Sequence, residues 1–269
     1  MISASAPGKL NLFFEVGPSR SDGYHPVVSL YQSLAIRQTV QVHPSDHWEV
    51  LTTGDLPQQQ LDLVPQGEEN LIVKAALALA DYCNIAQPPK MRFETYKQVP
   101  VAAGLAGGSA DAAAALLALN VAWETGLNFE QLTEVGARVG ADVPFSLLGG
   151  TAIGVDTGIE LEVVEDYPTK HVLLLVSPHG LGTREVFETF DQLYPEGDLH
   201  ITTQELKGDL ATNTLRLGKN SLQAPALQLR PELESYLGAV SGASGFMTGS
   251  GPTIYFLTDE LQEAINWEE

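Results

Sequence analysis

The sequence is poor in basic side chains: 14 Lys and Arg stand against 34 Asp and Glu in 269 residues, a formal net charge of −20. A nucleic-acid backbone is bound mainly by Lys and Arg, so this deficit argues against DNA or RNA as the main partner. The same deficit argues against docking on an anionic membrane. It leaves open a small anionic ligand, because backbone N–H groups and one or two cations can bind such a ligand locally.

Cysteine and long hydrophobic runs are also scarce. Cys83 is the sole cysteine, which excludes an intrachain disulfide and a cysteine-based metal cluster and is typical of a reducing cytosol. The first residues lack a charged stretch followed by an apolar core, so no signal peptide is predicted. Glycines, Ser109 and Asp111 interrupt the most lipid-like stretch, residues 99–123, which predicts a buried helix instead of a membrane span. We expect a cytoplasmic protein, or one of the plastid stroma if the source is a photosynthetic eukaryote.

Length and an apolar fraction of 44% predict a globular protein with one large or two medium domains. Residues 9–16 alternate with period two, which predicts a half-buried strand with Lys9 and Asn11 on the face opposite the core. Because strands and helices are mixed without a regular βαβ rhythm, the predicted class is α+β, with a domain boundary near residues 156–168.

Further strands are predicted over residues 27–42, 48–53, 90–96, 171–176 and within 247–257, and helices over 70–82, 109–123, 129–139, 184–193 (behind Thr183 as N-cap) and 231–240. Residues 57–60 are predicted to form a surface loop.

The most informative segment is a glycine-rich loop that leads directly into an alanine-rich helix. Gly104, Gly107 and Gly108 are expected to let the backbone turn tightly and present N–H groups to a ligand. The helix start adds unpaired N–H groups and the positive end of the helix dipole, so the segment is a candidate phosphate site. Ser109 could cap the helix or reach a magnesium ion. By loop composition alone, an ordinary glycine loop before a core helix is an equally good interpretation, and neither a Walker A nor a dinucleotide motif is present.

Five segments of the chain resemble, in order, the motifs of a known family. Residues 100–113 (PVAAGLAGGSADAA) and 247–253 (MTGSGPT) are similar to the ATP loop and the third motif of the GHMP small-molecule kinases. Residues 6–12 (APGKLNL), 22–25 (DGYH) and 140–145 (GADVPF) resemble motifs of one branch of that superfamily. The branch comprises the 4-diphosphocytidyl-2-C-methyl-D-erythritol kinases of the non-mevalonate isoprenoid pathway.

The resemblance implies a two-domain α+β GHMP kinase fold. The N-terminal ATP-binding and catalytic domain, residues 1–157, is expected to be ribosomal-S5-domain-2-like, and the C-terminal domain, residues 158–269, ferredoxin-like. The implied reaction is the ATP-dependent phosphorylation of the 2-hydroxyl of the branch's substrate, with ATP as co-substrate and Mg²⁺ as the metal. The implied partners are small molecules, ATP and a cytidine diphosphate-linked alcohol, with no nucleic acid and no membrane. We expect a monomer or a weak homodimer.

The resemblance also assigns catalytic and ATP-binding residues. Asp142 is implied to be the general base, and Lys9 is implied to hold it ionised and to stabilise charge on the transferring phosphoryl group. Taken alone, Lys9 would be an ordinary exposed lysine and Asp142 a turn residue that bonds nearby backbone N–H groups. The implied ATP-binding residues are Pro100, Gly104, Leu105, Ala106, Gly107, Gly108, Ser109 and Ala110, with Ser109 also the candidate metal ligand.

Four residues are implied to bind the alcohol substrate: Asn11, Tyr24, His25 and Phe187. His25 is expected to hydrogen-bond the cytosine, with Tyr24 stacked on the base and Phe187 covering its other face. Asn11 is expected to bond the substrate or to orient Lys9. Composition alone predicts a hairpin-type turn over residues 22–25, which is compatible with this role.

Three segments depart from the pattern of the branch. Residues 153–160 lack an expected arginine, Leu-Gly-Thr at 181–183 replaces Val-Ser-Thr, and Asn-Ser-Leu-Gln at 220–223 replaces Asn-x-Leu-Glu. Residues 259–269 predict part of a helix, whereas the family normally adds a further strand. Alternatives are a GHMP kinase of homoserine or mevalonate type, a non-catalytic nucleotide-binding regulator with the same fold, or an unrelated acidic interaction protein. Tyr24, His25 and the Lys9 and Asp142 pair favour the kinase with a cytidine-bearing substrate.

Overall fold

The computed structural model describes residues 1–268, and their contacts divide the chain into two compact units. Each unit is assembled from segments that are far apart in the sequence. The first unit comprises Met1–Lys9, Ser33–Val101 and Ala106–Gly149, and the second comprises Leu10–Gln32, Ala102–Leu105 and the chain from Gly150 onward. The domain division expected at residues 157 and 158 stays a prediction.

The secondary structure of residues 1–268 mixes strands and helices along the whole chain. The strands are β1 (Ile2–Val16), β2 (Val27–Pro44), β3 (Glu49–Gly54), β4 (Met91–Lys97), β5 (Thr151–Asp156), β6 (Glu160–Val163), β7 (His171–Leu175), β8 (Phe246–Met247) and β9 (Ile254–Thr258). The helices are α1 (Gln58–Leu61), α2 (Leu71–Tyr82), α3 (Gly107–Ala122), α4 (Phe129–Val139), α5 (Val143–Leu148), α6 (Thr183–Leu193), α7 (Thr203–Ala211), α8 (Gln223–Leu229), α9 (Leu233–Leu237) and α10 (Leu261–Glu268).

In the first unit, strand β4 lies between β3 and the second half of β2. It pairs parallel with β3 and antiparallel with β2, where Val42 faces Phe93 in the register. Helix α3 contacts α2, α4 and α5 and joins them in one apolar core. Four consecutive alanines, residues 112–115, have no exposed surface, because their small side chains let neighbouring elements approach α3 on every side. No helix within residues 1–268 is long and apolar enough to cross a membrane.

In the second unit, the first half of β2 pairs antiparallel with β5, and β5 pairs antiparallel with β6. A separate antiparallel sheet has the strand order β7-β9-β8. The apolar core of this unit includes Phe14 of β1, Phe190 of α6, Leu222 and Phe256 of β9. The second unit therefore also buries its own hydrophobic cluster.

Strand β1 differs most from the sequence-based expectation. It is longer than predicted, and it is buried on both faces from Ala6 to Val16. Lys9 and Asn11 are therefore buried, and the prediction that they lie on an open strand face is wrong. The alternation of apolar and polar residues does not show that both faces of a strand are buried. A polar side chain can be buried where other groups of the protein make its hydrogen bonds.

Most other predicted elements are confirmed to within a few residues, and α4 has the predicted bounds. Thr183 is the first residue of α6 and not its N-cap, which is Gly182. The loop predicted over residues 57–60 contains the one-turn helix α1, and the helix predicted over 231–240 is reduced to α9. The sequence patterns predict none of α5, α7, α8, β5 and β6, because such short elements carry little periodicity. The C-terminal helix is present as α10, and Glu269 lies outside the described residues.

The burial of α3 gives a stability prediction. Leu116 is fully buried in the core of the first unit, whereas Val121, five residues further along α3, is 60% exposed. We expect Leu116→Ala to lower the free energy of unfolding by about 2–5 kcal/mol, because it removes buried methyl groups and leaves a cavity. We expect Val121→Ala to change it by less than about 0.5 kcal/mol. Urea unfolding followed by circular dichroism measures both, and equal losses would contradict the packing described.

Candidate active site

Lys9 of β1 and Asp142, just before α5, form an ion pair in the first unit. Lys9 Nζ lies 3.8 Å from Asp142 Oδ2, and the side chains are 5% and 31% exposed, respectively. Burial lowers the pKa of Lys9 below its ordinary value, and the negative charge of Asp142 acts in the opposite direction. The pair therefore combines a buried cation with a carboxylate that still reaches solvent, an arrangement that can accept a proton beside a fixed positive charge.

The carboxylate of Asp142 is not used to hold the turn around it. Asp142 occupies the N-cap position of α5, but its side chain makes no capping hydrogen bond. Gly140 ends α4, and a Cβ placed on it would lie 4.0 Å from Ser109 Oγ. The first turn of α3 thus lies beside the turn that carries Asp142, so the structure brings Lys9, Asp142 and Ser109 into one neighbourhood.

Helix α3 begins without a capping side chain. Its N-cap is Ala106, whose φ of 57° lies in the left-handed region, and no side chain bonds the N–H groups of the first turn from that position. Ser109 is the third residue of the helix, so the interpretation of Ser109 as the cap is wrong. An uncapped helix start retains unpaired N–H groups that can donate hydrogen bonds to an anion.

The three glycines of the loop have different reasons to be glycine. Gly104 has a φ of 75°, a left-handed conformation that favours glycine, whereas Gly107 and Gly108 are helical. A Cβ on Gly107 would lie 3.2 Å from both Gln38 Nε2 and the carbonyl oxygen of Val99. One on Gly108 would lie 3.1 Å from a methyl carbon of Leu71. The expectation of a tight turn therefore holds for Gly104 only, and close packing at the start of α3 explains the other two.

A buried ion pair fixes α3 against strand β4. Lys97 Nζ bonds Asp111 Oδ2, and both side chains are at most 5% exposed. Thr95 Oγ1 donates to the other carboxylate oxygen, Oδ1, at 2.8 Å. Burial raises the pKa of Asp111, and the adjacent Lys97 ammonium opposes that rise. Asp111 therefore serves as a structural partner of Lys97, a role that the sequence pattern around it does not reveal.

In the second unit, Asn11 holds the loop of residues 247–253. Its backbone N–H donates to Thr248 Oγ1 at 3.0 Å, and the Thr248 hydroxyl lies 3.3 Å from Asn11 Oδ1. Asn11 Nδ2 donates to Ser29 Oγ at 2.8 Å. Asn11 is thus built into a buried polar network, in addition to any contact with substrate that the family resemblance implies.

Other residues of the second unit hold the same loop. Asn220 Nδ2 donates to the carbonyl oxygens of Met247 and Gly249, each at 2.9 Å. Thr183 Oγ1 and Ser250 Oγ lie 2.9 Å apart. Sequence analysis missed these roles, although both residues lie in segments that it singled out as departures from the family pattern. A Cβ on Gly104 would lie 2.7–2.8 Å from two carbonyl oxygens of the 247–253 loop, which leaves no room for a larger residue.

The residues predicted to bind the base lie in the second unit. His25 is buried, its Nε2 lies 2.7 Å from Asp191 Oδ1, and its ring centroid is 4.9 Å from that of Phe187. Tyr24 is 63% exposed. The predicted turn is supported by a hydrogen bond from the Tyr24 N–H to Asp22 Oδ1. The structure therefore brings His25 and Phe187 into direct contact and leaves the Tyr24 ring open to solvent.

Residues 153–160, which lack the arginine expected from the family pattern, form an ion pair with a basic residue elsewhere in the second unit. Asp156, the last residue of β5, forms an ion pair with Arg20, which also lies 3.3 Å from Asp22. Arg20 comes from the loop between β1 and β2, two residues before the turn that carries Tyr24 and His25. This departure in sequence therefore coincides with a local ion-pair arrangement in the same unit.

No cluster of three or more His, Cys, Asp or Glu side chains that could hold a metal occurs among residues 1–268. Magnesium does not need such a cluster, because it commonly keeps several waters and binds phosphate oxygens together with one or two protein oxygens. The hydroxyl of Ser109 lies beside the turn that carries Asp142 and offers an oxygen of this kind. The residues present therefore fit a magnesium ion that arrives with a phosphate ligand.

Comparison with known proteins agrees with this geometry. Residues 70–150 match the N-terminal domain of GHMP kinases. The chain is 37% identical to the 4-diphosphocytidyl-2-C-methyl-D-erythritol kinase of Arthrobacter sp. (strain FB24), over 100% of this chain and 88% of the relative. A crystal structure of a 4-(cytidine 5'-diphospho)-2C-methyl-D-erythritol kinase has a TM-score of 0.76 and 28% identity, covering 98% of this chain and 93% of the other. A homoserine kinase from Cytophaga hutchinsonii, 16% identical with a TM-score of 0.66 over 99% and 87% of the two chains, shares the fold.

These matches define the class of protein as an ATP-dependent small-molecule kinase with the two-domain GHMP kinase fold. Within that class, the chain belongs to the family of 4-diphosphocytidyl-2-C-methyl-D-erythritol kinases. The family, the mixed α and β fold class and the kinase activity expected from the sequence are confirmed. The roles of the individual site residues stay predictions.

The buried ion pair gives a prediction about the start of α3. We expect Lys97→Met to lower the free energy of unfolding by about 3–5 kcal/mol, because it leaves the Asp111 carboxyl buried without a cationic partner. The double variant Lys97→Met, Asp111→Leu removes both charges and is expected to recover most of this loss. Urea unfolding of the two variants and the wild type measures the difference. A double variant no more stable than the single one would contradict this account.

Proposed function

We propose that this protein transfers the γ-phosphoryl group of ATP to the 2-hydroxyl of 4-diphosphocytidyl-2-C-methyl-D-erythritol. The observation that carries the proposal is the pairing of buried Lys9 with partly exposed Asp142 beside the first turn of α3. The substrate is inferred from relatives that bear this name and are similar to the chain over nearly its whole length.

In the proposed reaction, Asp142 accepts the proton of the substrate hydroxyl as its oxygen bonds the γ-phosphorus of ATP. The bond from that phosphorus to the β,γ-bridging oxygen breaks, and ADP leaves. Phosphoryl transfer depends mainly on alignment and on neutralisation of charge, so one carboxylate and one lysine suffice as the protein groups at its centre. Lys9 contributes to the neutralisation of charge, because its ammonium, 3.8 Å from Asp142 Oδ2, can stabilise negative charge on the transferred group.

The loop of residues 104–110 is proposed to bind the phosphates of ATP. The uncapped start of α3 supports this, because its first N–H groups and the helix dipole favour an anion. Ser109 is proposed to supply one oxygen ligand to Mg²⁺. When bound, the ion would neutralise phosphate charge.

His25 is proposed to hydrogen-bond the cytosine of the substrate. In the tautomer whose Nε2–H donates to Asp191, Nδ1 is an acceptor, which suits the amino group of cytosine. Nδ1 makes no hydrogen bond with another residue of the described chain. Phe187 supports the imidazole ring from one side, and the exposed ring of Tyr24 is proposed to stack on the base.

A cytoplasmic location and a monomeric or weakly dimeric state complete the proposal. The sole cysteine, Cys83, is partly buried, and burial raises the pKa of its thiol, which fits a protein that does not depend on disulfides. Light scattering coupled to size-exclusion chromatography measures the oligomeric state directly.

The substrate assignment is tested by measuring ATP consumption with a panel of alcohols. The panel contains 4-diphosphocytidyl-2-C-methyl-D-erythritol, homoserine and mevalonate. We expect turnover with the first compound alone. Turnover with homoserine or mevalonate instead would favour another GHMP kinase specificity, and ATP binding without turnover of any alcohol would favour a regulator with the same fold.

The catalytic assignment is tested by Asp142→Asn. We expect kcat to fall by about 10²–10⁴-fold, because the amide cannot accept the proton. The thermal midpoint is expected to change little, because Asp142 makes no capping bond, its side chain is 31% exposed, and the amide oxygen of Asn can still face Lys9. Asp46→Asn, in the exposed turn between β2 and β3, is the matched control and is expected to keep kcat within about twofold of wild type. Steady-state kinetics and thermal melts measure both variants. Near-wild-type turnover of Asp142→Asn would rule out Asp142 as the base.

A further inference from the structure

Gln38 of β2 is a fully buried amide that bonds both ends of the segment leading into α3. We call residues 98–107 the nucleotide loop. Gln38 Oε1 accepts from the backbone N–H of Gln98 at 2.9 Å and from that of Val99 at 3.3 Å. Gln38 Nε2 donates to the carbonyl oxygen of Gly107 at 3.3 Å. One side chain thereby ties the first residues of the loop to its last, which is also the first residue of α3.

The amide group of Gln38 adds nothing to the apolar packing of the core. Gln38 has no exposed surface, and Val40 and Val42 of the same strand are apolar and also buried. A buried amide is unfavourable unless its hydrogen bonds are made, and all three bonds of Gln38 are made to the backbone of the nucleotide loop. The hydrogen bonds that offset the cost of burying this amide are therefore its bonds to the nucleotide loop.

The start of α3 is pressed closely against this amide. A Cβ on Gly107 would lie 3.2 Å from Gln38 Nε2 and 3.2 Å from the carbonyl oxygen of Val99. The loop end, the amide and the helix start are thus in van der Waals contact, with little free space between them. A change in the side chain of residue 38 is therefore transmitted to the position of the first N–H groups of α3.

We propose that Gln38 is a positioning residue for nucleotide binding. It holds the first turn of α3 where its backbone N–H groups meet the phosphates, without touching the nucleotide. The inference rests on the proposed role of this loop in binding ATP. It goes beyond the loop motif itself, because Gln38 lies more than 60 residues before that motif, on a different element of the fold.

The test is the affinity of Gln38→Met for Mg·ADP, measured by isothermal titration calorimetry. Methionine has a similar length and makes none of the three hydrogen bonds. We expect the Kd for Mg·ADP and the KM for ATP to rise about tenfold, with the KM for the alcohol within about twofold of wild type. Gln38→Glu retains the two acceptor bonds, but it places a carboxylate oxygen against the Gly107 carbonyl and adds a negative charge beside the phosphate site, so we expect a Kd at least as high as that of Gln38→Met. It also provides a second folded variant if Gln38→Met fails to fold.

Asn120 offers a matched control at the other end of the same helix. Its Nδ2 donates to the carbonyl oxygen of Leu127 at 3.0 Å, and its Oδ1 accepts from the Leu127 N–H at 2.9 Å and from the Thr125 hydroxyl at 2.5 Å. Asn120→Leu therefore also removes three hydrogen bonds of an amide that holds a loop against α3. We expect it to lower the thermal midpoint and to leave the Kd for Mg·ADP within about twofold of wild type.

The outcomes separate this inference from the proposed function. Wild-type Mg·ADP affinity in folded Gln38→Met and Gln38→Glu would overturn the inference, as would an equal loss of affinity in Asn120→Leu. If the wild-type protein binds Mg·ADP but phosphorylates none of the alcohols, the substrate assignment fails while the comparison of Kd values still decides the role of Gln38. If the wild type binds no nucleotide, both are overturned.

Discussion

The near-complete burial of helix α3 is the constraint on which the first unit depends. A helix that is buried over most of its length must satisfy every polar group that it carries into the core. Asp111 is matched by Lys97 and Thr95, and the carbonyl of Gly107 is matched by Gln38. The N–H groups of its uncapped first turn remain available to a ligand. The polar interactions around α3 therefore follow from its burial as much as from the chemistry at its start.

The large negative net charge of the protein is compatible with binding of ATP because the positive groups near the candidate site act over short distances. With a net charge of −20, long-range electrostatics oppose the approach of anions such as ATP. Within the first unit, a buried lysine and the positive end of a long helix lie near the turn of Asp142. Charges in such a partly buried setting are screened less by salt and solvent than charges on the surface. Binding of polyanions by an acidic protein is therefore consistent with these two local features.

In the second unit, side-chain amides take the role that charged groups have in the first. Asn11 and Asn220 hold the 247–253 loop through its backbone and through Thr248, and Gly104 leaves the space that its carbonyl groups occupy. His25 is held differently, by the carboxylate of Asp191 and by ring contact with Phe187. Neutral hydrogen bonds to the backbone fix geometry without adding charge. The 247–253 loop is therefore held by neutral side chains.

The sequence by itself determined the family, the order of the motifs and most of the long elements, because these depend on local signals. Helical periodicity, the cap at Asn128 and the glycine that ends α4 all lie within or next to the element that they define. Lys9, Asp142 and the glycine-rich segment of residues 100–113 were likewise singled out by their motifs. Tertiary structure alone decided that β1 is buried on both faces and that Gly107 and Gly108 are closely packed. It also decided that Gln38 bonds Gly107, that Lys97 bonds Asp111 and that Asn220 bonds the backbone of Met247. Their partners are distant in the sequence, and no local pattern records which buried polar group a remote side chain satisfies.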